Sequence, residues 1–201
     1  AQDIVLGASL DNNILCIAEK SVVAMRQIEP QLVQEMVKAG CVLVDNQQDI
    51  QRLVDLTVLP NGTPNKQFVG KNASVILDAA HISYNGDPRL IILRTAKDHP
   101  FAVIEMLMPI LPVVTVDSFD EGLDVCLKLE AGLHHTATMH SLNMERLNYM
   151  ARKMKTSIFV KNGPSYAGLG FSGEGTTTFT IATPTGESTT SARCFARRRR
   201  C

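Results

Sequence analysis

A single cysteine near the start of the chain has the surroundings that a nucleophilic thiol requires. Cys16 follows an amphipathic stretch at 2–10, stands just after the polar residues DNN, and precedes an apolar run at 21–25. Loops between elements present side chains to a cleft, and free backbone N–H groups there stabilise a thiolate or an oxyanion. A buried structural cysteine fits the same pattern, because unpaired cysteines are among the most buried residues. The local pattern leaves both interpretations open.

Histidines form the second candidate group. His134, His135 and His140 surround the start of a predicted strand. Side chains alternate along a strand, so His134 and His135 are expected on opposite faces, where one of them could meet a ligand or a thiol. A capped turn with a surface histidine explains the same residues without any chemistry.

The remaining cysteines predict no metal site and no disulfide framework. The chain has five cysteines, an odd number at scattered spacings, with no CxxC pair and no Cys/His quartet. Cys41 begins a predicted strand and Cys126 lies within a predicted helix, so both are expected in the core. This pattern favours a reducing cytoplasm.

Two further motifs are assigned no chemistry. GLGFSG at 168–173 matches the dinucleotide pattern G-x-G-x-x-G, but the residues after it do not predict the helix whose N-terminus would hold a phosphate. These glycines are expected to serve tight turns or close backbone packing. The arginine run at 197–200 could bind phosphates, although a solvated tail is the simpler interpretation.

The elements around these residues alternate between helix and strand, which predicts an α/β fold with a parallel sheet. Ser118 and Glu121 form the pattern of a capping box at the start of a helix. The remaining predictions follow from apolar runs, Pro30 and the glycines at 40 and 132. The predicted strands are 21–25, 42–45, 89–95, 111–116, 136–141 and 156–162, and the predicted helices are 30–39, 46–57, 71–80, 119–131 and 143–154.

A change of composition predicts the domain organisation. Residues 1–162 are expected to form an α/β domain that carries the thiol. Residues 163–201 begin with a Gly-, Ser- and Thr-rich segment, in which 179–183 is a strand candidate. This tail is expected to pack on the domain or to pair with another subunit. The chain begins with Ala1 inside a helical pattern, which predicts that it continues a longer protein.

Composition excludes two classes of partner. Five of the 20 Lys and Arg residues lie in the last nine positions, so the other 15 face 20 acidic residues, and the body of the chain is a poor ligand for nucleic acid. The most apolar run, 101–114, contains a glutamate and two prolines and is too short to cross a membrane. The expected partners are therefore neither nucleic acid nor membrane.

A family resemblance strengthens the prediction that Cys16 is a nucleophile. The segment GASLDNNILCIAEKSVVA resembles the active-site segment of CoA-acylating aldehyde dehydrogenases. The tail NGPSYAGLGFSGEGTTTFTIATPTGE is similar to the end of the propionaldehyde and acetaldehyde dehydrogenases of bacterial microcompartments, and EMLMPILPVVTV resembles a segment of the wider superfamily. The resemblance covers essentially the whole chain and corresponds to the C-terminal half of such an enzyme.

The resemblance implies roles for four residues. Cys16 matches the nucleophile, which forms a thioester that coenzyme A resolves after hydride transfer to NAD. Glu105 matches the glutamate that holds the nicotinamide ribose, and Leu107 stands at the neighbouring cofactor position where phenylalanine is usual. His135 matches a histidine near the thiol or the CoA pocket. No metal is implied.

The same resemblance implies partners and location. A short aldehyde and coenzyme A are the expected substrates, and the NAD-binding domain is expected upstream. A homo-oligomer of two or more subunits, cytoplasmic and placed within a microcompartment with its shell or cargo, is also implied. Two alternatives stay open: a non-catalytic assembly module, in which the strand candidate pairs subunits, and an unrelated α/β binding domain with a core Cys16.

Overall fold

The computed structural model describes residues 1–181, 189–197 and 199. Internal contacts divide the chain into two compact units, Ala1–Leu129 and Glu130–Cys201. The helices are α1 Gln2–Ser9, α2 Glu29–Lys38, α3 Gln47–Thr57, α4 Ala73–Ala79, α5 Pro100–Val103, α6 Phe119–Glu130 and α7 Met144–Met154. The strands are β1 Val22–Met25, β2 Cys41–Leu43, β3 Leu90–Thr95, β4 Ile110–Val116, β5 Thr136–Met139 and β6 Ile158–Lys161.

The first unit is built on a four-stranded parallel sheet in the order β1-β4-β3-β2. The register pairs Val22 with Val113 and Ile91 with Ile110. This arrangement confirms the α/β fold with a parallel sheet that the alternation of helices and strands predicts.

Both faces of this sheet are covered, as the continuous apolar runs require. Ile91 and Leu93 pack into a cluster with α3 and α4, whereas Leu90 and Ile92 pack with α1 and α2 on the other face. All four of these side chains are fully buried. Alternate residues of one strand therefore supply two cores, and the sheet lies rigidly between them.

The second unit contains a separate two-stranded parallel sheet, β5 with β6. The predicted strands 136–141 and 156–162 are thus confirmed as strands, but they do not extend the first sheet. Every residue of β5 is only half-buried, in contrast to the fully buried centre of β3. A division by internal contacts does not define a folding domain, so the assignment of 1–162 to one domain stays a prediction.

Glycine-rich backbone follows β6. Gly170 adopts a left-handed φ of +81°, and a Cβ at Gly173 would lie 2.7 Å from the Ala167 carbonyl oxygen. These glycines serve tight turns and close backbone packing, as expected, and residues 174–181 form no helix. Residues 179–181 of the strand candidate are not in a strand, and 182 and 183 lie outside the described residues.

Neither a membrane-crossing helix nor a metal cluster is found in the part of the chain that the structure describes.

Candidate active site

Cys16 lies exposed in a turn that leads from α1 into the sheet. Its neighbours Ile17 and Ala18 are buried, and the Ala18 amide donates to the Leu15 carbonyl oxygen at 3.0 Å, which closes the turn around the thiol. The buried alternative for Cys16 is therefore wrong: the backbone on either side is anchored, and the sulfur faces outward. An anchored backbone with a free side chain suits a nucleophile.

Three consecutive left-handed residues place this turn. Asp11, Asn12 and Asn13 have φ values of 48°, 53° and 67°. L-residues adopt this conformation at a cost of about 1–2 kcal/mol each, and Asn and Asp tolerate it best because their short side chains form local hydrogen bonds. The sequence DNN thus reverses the chain after α1, and such strained backbone is typical of functional sites.

Asn13 is the buried centre of the turn. Its side-chain Nδ2 donates to the Ala8 carbonyl oxygen at 2.7 Å and to the Glu19 carbonyl oxygen at 2.9 Å. The amide therefore ties the end of α1 to the segment after the thiol. Cys16 lies between Asn13 and Glu19, so both ends of its loop are fixed.

Lys20 also holds the turn that carries Cys16. Its Nζ donates to the Asn13 carbonyl oxygen at 2.6 Å, to Asn13 Oδ1 at 2.8 Å and to the Leu15 carbonyl oxygen at 3.0 Å. An ammonium has three N–H groups, so all three are used within the turn. Desolvation by burial lowers the pKa of Lys20 to about 8, although Glu105, Cys16 and Glu19 oppose this shift.

Glu105 lies beside the same lysine. Lys20 Nζ and Glu105 Oε1 are 3.9 Å apart, and the Glu105 side chain is 55% exposed. The chain enters the adjacent strands β1 and β4 at Val22 and Ile110, so the segments leading into them meet at the amino-terminal edge of the sheet. The structure therefore brings Cys16 and Glu105 to one edge through Lys20.

Leu107 is held by its backbone. Its φ is +54°, and its carbonyl oxygen accepts a hydrogen bond from the Gly70 amide at 3.0 Å. Asn12 Nδ2 in turn donates to the Gly70 carbonyl oxygen at 3.0 Å and to Asn72 Oδ1 at 2.8 Å. Gly70 thus links the thiol turn to the segment with Glu105, and the Leu107 side chain stays half-buried.

His135 lies in the second unit, one residue before β5. Its backbone amide donates to Glu130 Oε1 at 3.0 Å, and its Nδ1 is 2.7 Å from Thr136 Oγ1. The bond to Thr136 fixes the ring orientation, while His134, with a φ of 54°, is exposed. The predicted strand start beside these histidines is confirmed.

Cys41 and Cys126 are less exposed than Cys16. Burial raises the pKa of Cys41 to about 12 and that of Cys126 to about 11, so both thiols stay protonated and inert at neutral pH. The predicted core position of Cys41 is confirmed, whereas Cys126 is only half-buried on α6. Cys194 is exposed in the tail, where its sulfur accepts from the Ser191 amide at 3.3 Å.

Sequence reasoning missed Lys20, Asn13 and Gly70 as members of this site. A doublet of asparagines directly before a loop cysteine is a usable signal, since Asn is enriched in left-handed turns. No local signal marks Gly70, because its role depends on residues 58 positions away at Asn12.

Sequence comparison connects this site to characterised proteins. No family model matches the chain. It is 54% identical over 202 residues to a propanal dehydrogenase (CoA-propanoylating) of Citrobacter freundii, covering 100% of this chain and 43% of that protein. It is 45% identical over 205 residues to an acetaldehyde dehydrogenase (acetylating) of Escherichia coli, covering 100% of this chain and 44% of that protein.

Solved structures of related enzymes also match this chain in fold. The propionaldehyde dehydrogenase of Rhodopseudomonas palustris with bound propionyl-CoA superposes with a TM-score of 0.95 at 45% identity, over all of this chain and 44% of that one. A propionaldehyde dehydrogenase from the fucose utilisation microcompartment of Clostridium phytofermentans gives 0.93 at 43% identity, over all of this chain and 46% of that one. An engineered glycolyl-CoA reductase with bound NADP+ gives 0.95 at 45%, over all of this chain and 45% of that one.

The covered parallel sheet, with an exposed thiol at its edge, matches part of the aldehyde dehydrogenase structure. More narrowly, the chain belongs with the CoA-acylating propionaldehyde and acetaldehyde dehydrogenases, which confirms the resemblance seen in its sequence. It spans less than half the length of the relatives that it matches.

Proposed function

We propose that this chain is the thiol-bearing part of an NAD-dependent, CoA-acylating aldehyde dehydrogenase, and that Cys16 is its nucleophile. The observation that carries the proposal is the exposed Cys16 thiol on a turn fixed by Asn13 and Lys20. The 54% identity to a CoA-propanoylating propanal dehydrogenase supports a short aldehyde, propionaldehyde or acetaldehyde, as the substrate.

The Cys16 sulfur attacks the aldehyde carbon to form a thiohemiacetal, whose oxidation leaves an acyl thioester on Cys16. The thiol of coenzyme A then attacks the acyl carbon, and the Cys16 sulfur is the leaving group. Within the described residues the Cys16 backbone N–H has no backbone acceptor, so it is available to stabilise the oxyanion of each tetrahedral species. NAD, when bound, supplies the hydride acceptor.

The residues present fit a nicotinamide ribose. The exposed Glu105 carboxylate can accept hydrogen bonds from two hydroxyl groups, and Leu107 offers a half-buried apolar side chain beside it. His135 serves as an orienter or proton carrier for the thiol or for coenzyme A. Its Nδ1 contact with Thr136 fixes the ring for such a role.

The reverse half-reaction tests this function without any nicotinamide. Incubation with propionyl-CoA, followed by peptide-resolved mass spectrometry, should place a propionyl group on Cys16 and leave Cys41, Cys126 and Cys194 unmodified. Cys194 is the matched control because its thiol is also exposed. Equal acylation of Cys16 and Cys194, or none at either, contradicts the proposal for this chain. His135→Ala should slow the acylation of Cys16 with an unchanged circular dichroism spectrum.

A non-catalytic assembly role is the second candidate. Phe171, Phe179 and Phe195 are each at least 69% exposed in the second unit, and exposed aromatic side chains are typical of protein contacts. A homo-oligomer, with a microcompartment shell or cargo as a further partner of the full-length protein, follows from this candidate and from the microcompartment relative. Concentration-dependent self-association with no selectivity for Cys16 in the acylation assay would favour it.

A further inference from the structure

Lys20 is the charged group most closely integrated with the thiol turn. Its three hydrogen bonds end on the backbone of Asn13, the side chain of Asn13 and the backbone of Leu15, the residue directly before Cys16. The Lys20 side chain is 24% exposed, so its ammonium sits close to the surface but has given up most of its hydration. Removing a cation from water is costly, and the three hydrogen bonds offset part of that cost.

The electrostatic surroundings of this ammonium consist of Glu105, Glu19 and Cys16. A negative charge on Cys16 favours the charged form of Lys20. Because the interaction between two charges is mutual, the Lys20 ammonium also attracts negative charge on the Cys16 sulfur. Glu105 competes with the thiolate for the same positive charge.

We propose that Lys20 is a positioning residue for Cys16: its ammonium fixes the carbonyl groups on which the thiol turn is built and keeps a positive charge within electrostatic reach of the sulfur. This inference rests on the proposed role of Cys16 as nucleophile. It adds a residue that acts through the thiol and touches no substrate.

Alkylation of the whole 201-residue chain by iodoacetamide tests the inference, because the reagent reacts with the thiolate and needs no coenzyme A. Lys20→Met should slow the alkylation of Cys16 at pH 7 by about three- to tenfold, the loss expected for one charge removed at short range. Lys38→Met is the matched control, since Lys38 pairs with exposed Glu35 on α2 and should leave the Cys16 rate unchanged.

Lys20→Arg tests how the positive charge at position 20, rather than the shape of the side chain, affects the alkylation of Cys16. The pKa of Lys20 is about 8, so the wild-type chain loses this charge above that pH, whereas arginine keeps it. We expect equal Cys16 rates for the two proteins at pH 7 and a rate about twofold higher in Lys20→Arg at pH 9. A ratio that is the same at every pH overturns the electrostatic part of the proposal, because a purely structural role does not titrate.

A further variant keeps the test decisive if Lys20→Met alters the circular dichroism spectrum. Glu105→Gln changes an exposed side chain and removes the competitor for the lysine charge. At pH 6.5, where Lys20 is charged, it should speed the alkylation of Cys16, and an unchanged or slower rate overturns the proposal. If alkylation follows Lys20 while propionyl-CoA leaves Cys16 unmodified, the proposed function fails and the role of Lys20 stands.

Discussion

The two units of the chain are stabilised in different ways. In Ala1–Leu129, a four-stranded sheet is buried on both faces by helices, and its central strand has four fully buried residues in succession. In Glu130–Cys201, a two-stranded sheet is followed by backbone that packs closely through glycines. A layered core tolerates an exposed, strained turn at its edge, whereas glycine-mediated packing depends on the absence of side chains.

The largest expected effect on the free energy of unfolding comes from truncating a residue in the layered core of the first unit. Leu93→Ala should lower the free energy of unfolding by about 3–4 kcal/mol, because Leu93 is fully buried among α3 and α4 and its truncation leaves a cavity. Leu142→Ala is the matched control, since Leu142 in the second unit is fully exposed and its truncation should change stability by less than about 0.5 kcal/mol. Urea titration followed by circular dichroism measures both. Equal losses would contradict the difference between the units.

A methyl group added in the second unit should also be costly. Gly175→Ala places a Cβ against the Gly168 carbonyl group, where backbone rather than a flexible side chain must move. We expect a loss of about 2 kcal/mol, within the range for overpacking. Gly62→Ala tests left-handed strain alone, because Gly62 has a φ of +77° and open space around it, and should cost about 1 kcal/mol. Hydrogen exchange near 168–175 checks whether the loss is local.

Alkaline pH should weaken the first unit through Cys41. Burial raises the pKa of Cys41 from 9.0 to about 12, so the native thiol keeps its proton while the unfolded chain releases it above pH 9. Stability is therefore lost as pH rises, by up to about 1.4 kcal/mol per pH unit between 9 and 12.

Lys20 has the opposite sign, because its pKa is lowered from 10.5 to about 8 and its contribution to stability rises with pH between those values. Cys126, whose pKa burial raises from 9.0 to about 11, loses stability between pH 9 and 11 as Cys41 does and so offsets the gain from Lys20. Cys41→Ala should flatten the alkaline loss in urea titrations at pH 9, 10 and 11 under reducing conditions. Cys194→Ala should leave the loss as it is, and a similar flattening in that variant would refute the assignment.

The smallest expected effects are at helix caps, one in each unit. Asn46 Oδ1 accepts from the Gln48 amide at 2.8 Å at the start of α3, and Asn143 Oδ1 accepts from the Arg146 amide at 3.0 Å at the start of α7. Replacing either residue with Ala should cost about 1 kcal/mol. If the units unfold separately, each variant shifts only one of two transitions in differential scanning calorimetry. A single transition shifted equally by both would show one cooperative unit.

Much of the fold follows from local sequence patterns. The runs 89–95 and 111–116 predict β3 and β4 closely, because strands buried on both faces are apolar at successive positions. Ser118 accepts from the Glu121 amide at 3.1 Å as the capping box predicts, but the Glu121 side chain accepts from the Asp117 amide instead of returning to Ser118. Such details depend on side-chain rotamers that a pattern does not encode.

The site could be predicted only in part. The local pattern indicates Cys16 as a candidate and the resemblance adds Glu105, and the structure shows that they meet at one edge of the sheet through Lys20. The local pattern alone favours a buried Cys16, since it cannot show that Ile17 and Ala18 turn inward while the sulfur turns outward. The division of the strands between two sheets depends on long-range pairing, which no window of sequence contains.

The left-handed turn has an evolutionary consequence. Because Asp11, Asn12 and Asn13 all have positive φ, most amino acids at these positions cost about 1–2 kcal/mol in conformation alone, and Gly, Asn and Asp cost least. Asn13 is restricted further, since aspartate keeps the backbone but lacks the N–H groups that bind Ala8 and Glu19. We therefore expect amino-acid variation among related sequences to be widest at position 11, narrower at position 12 and nearly absent at position 13. The turn should change more slowly than the surface around it.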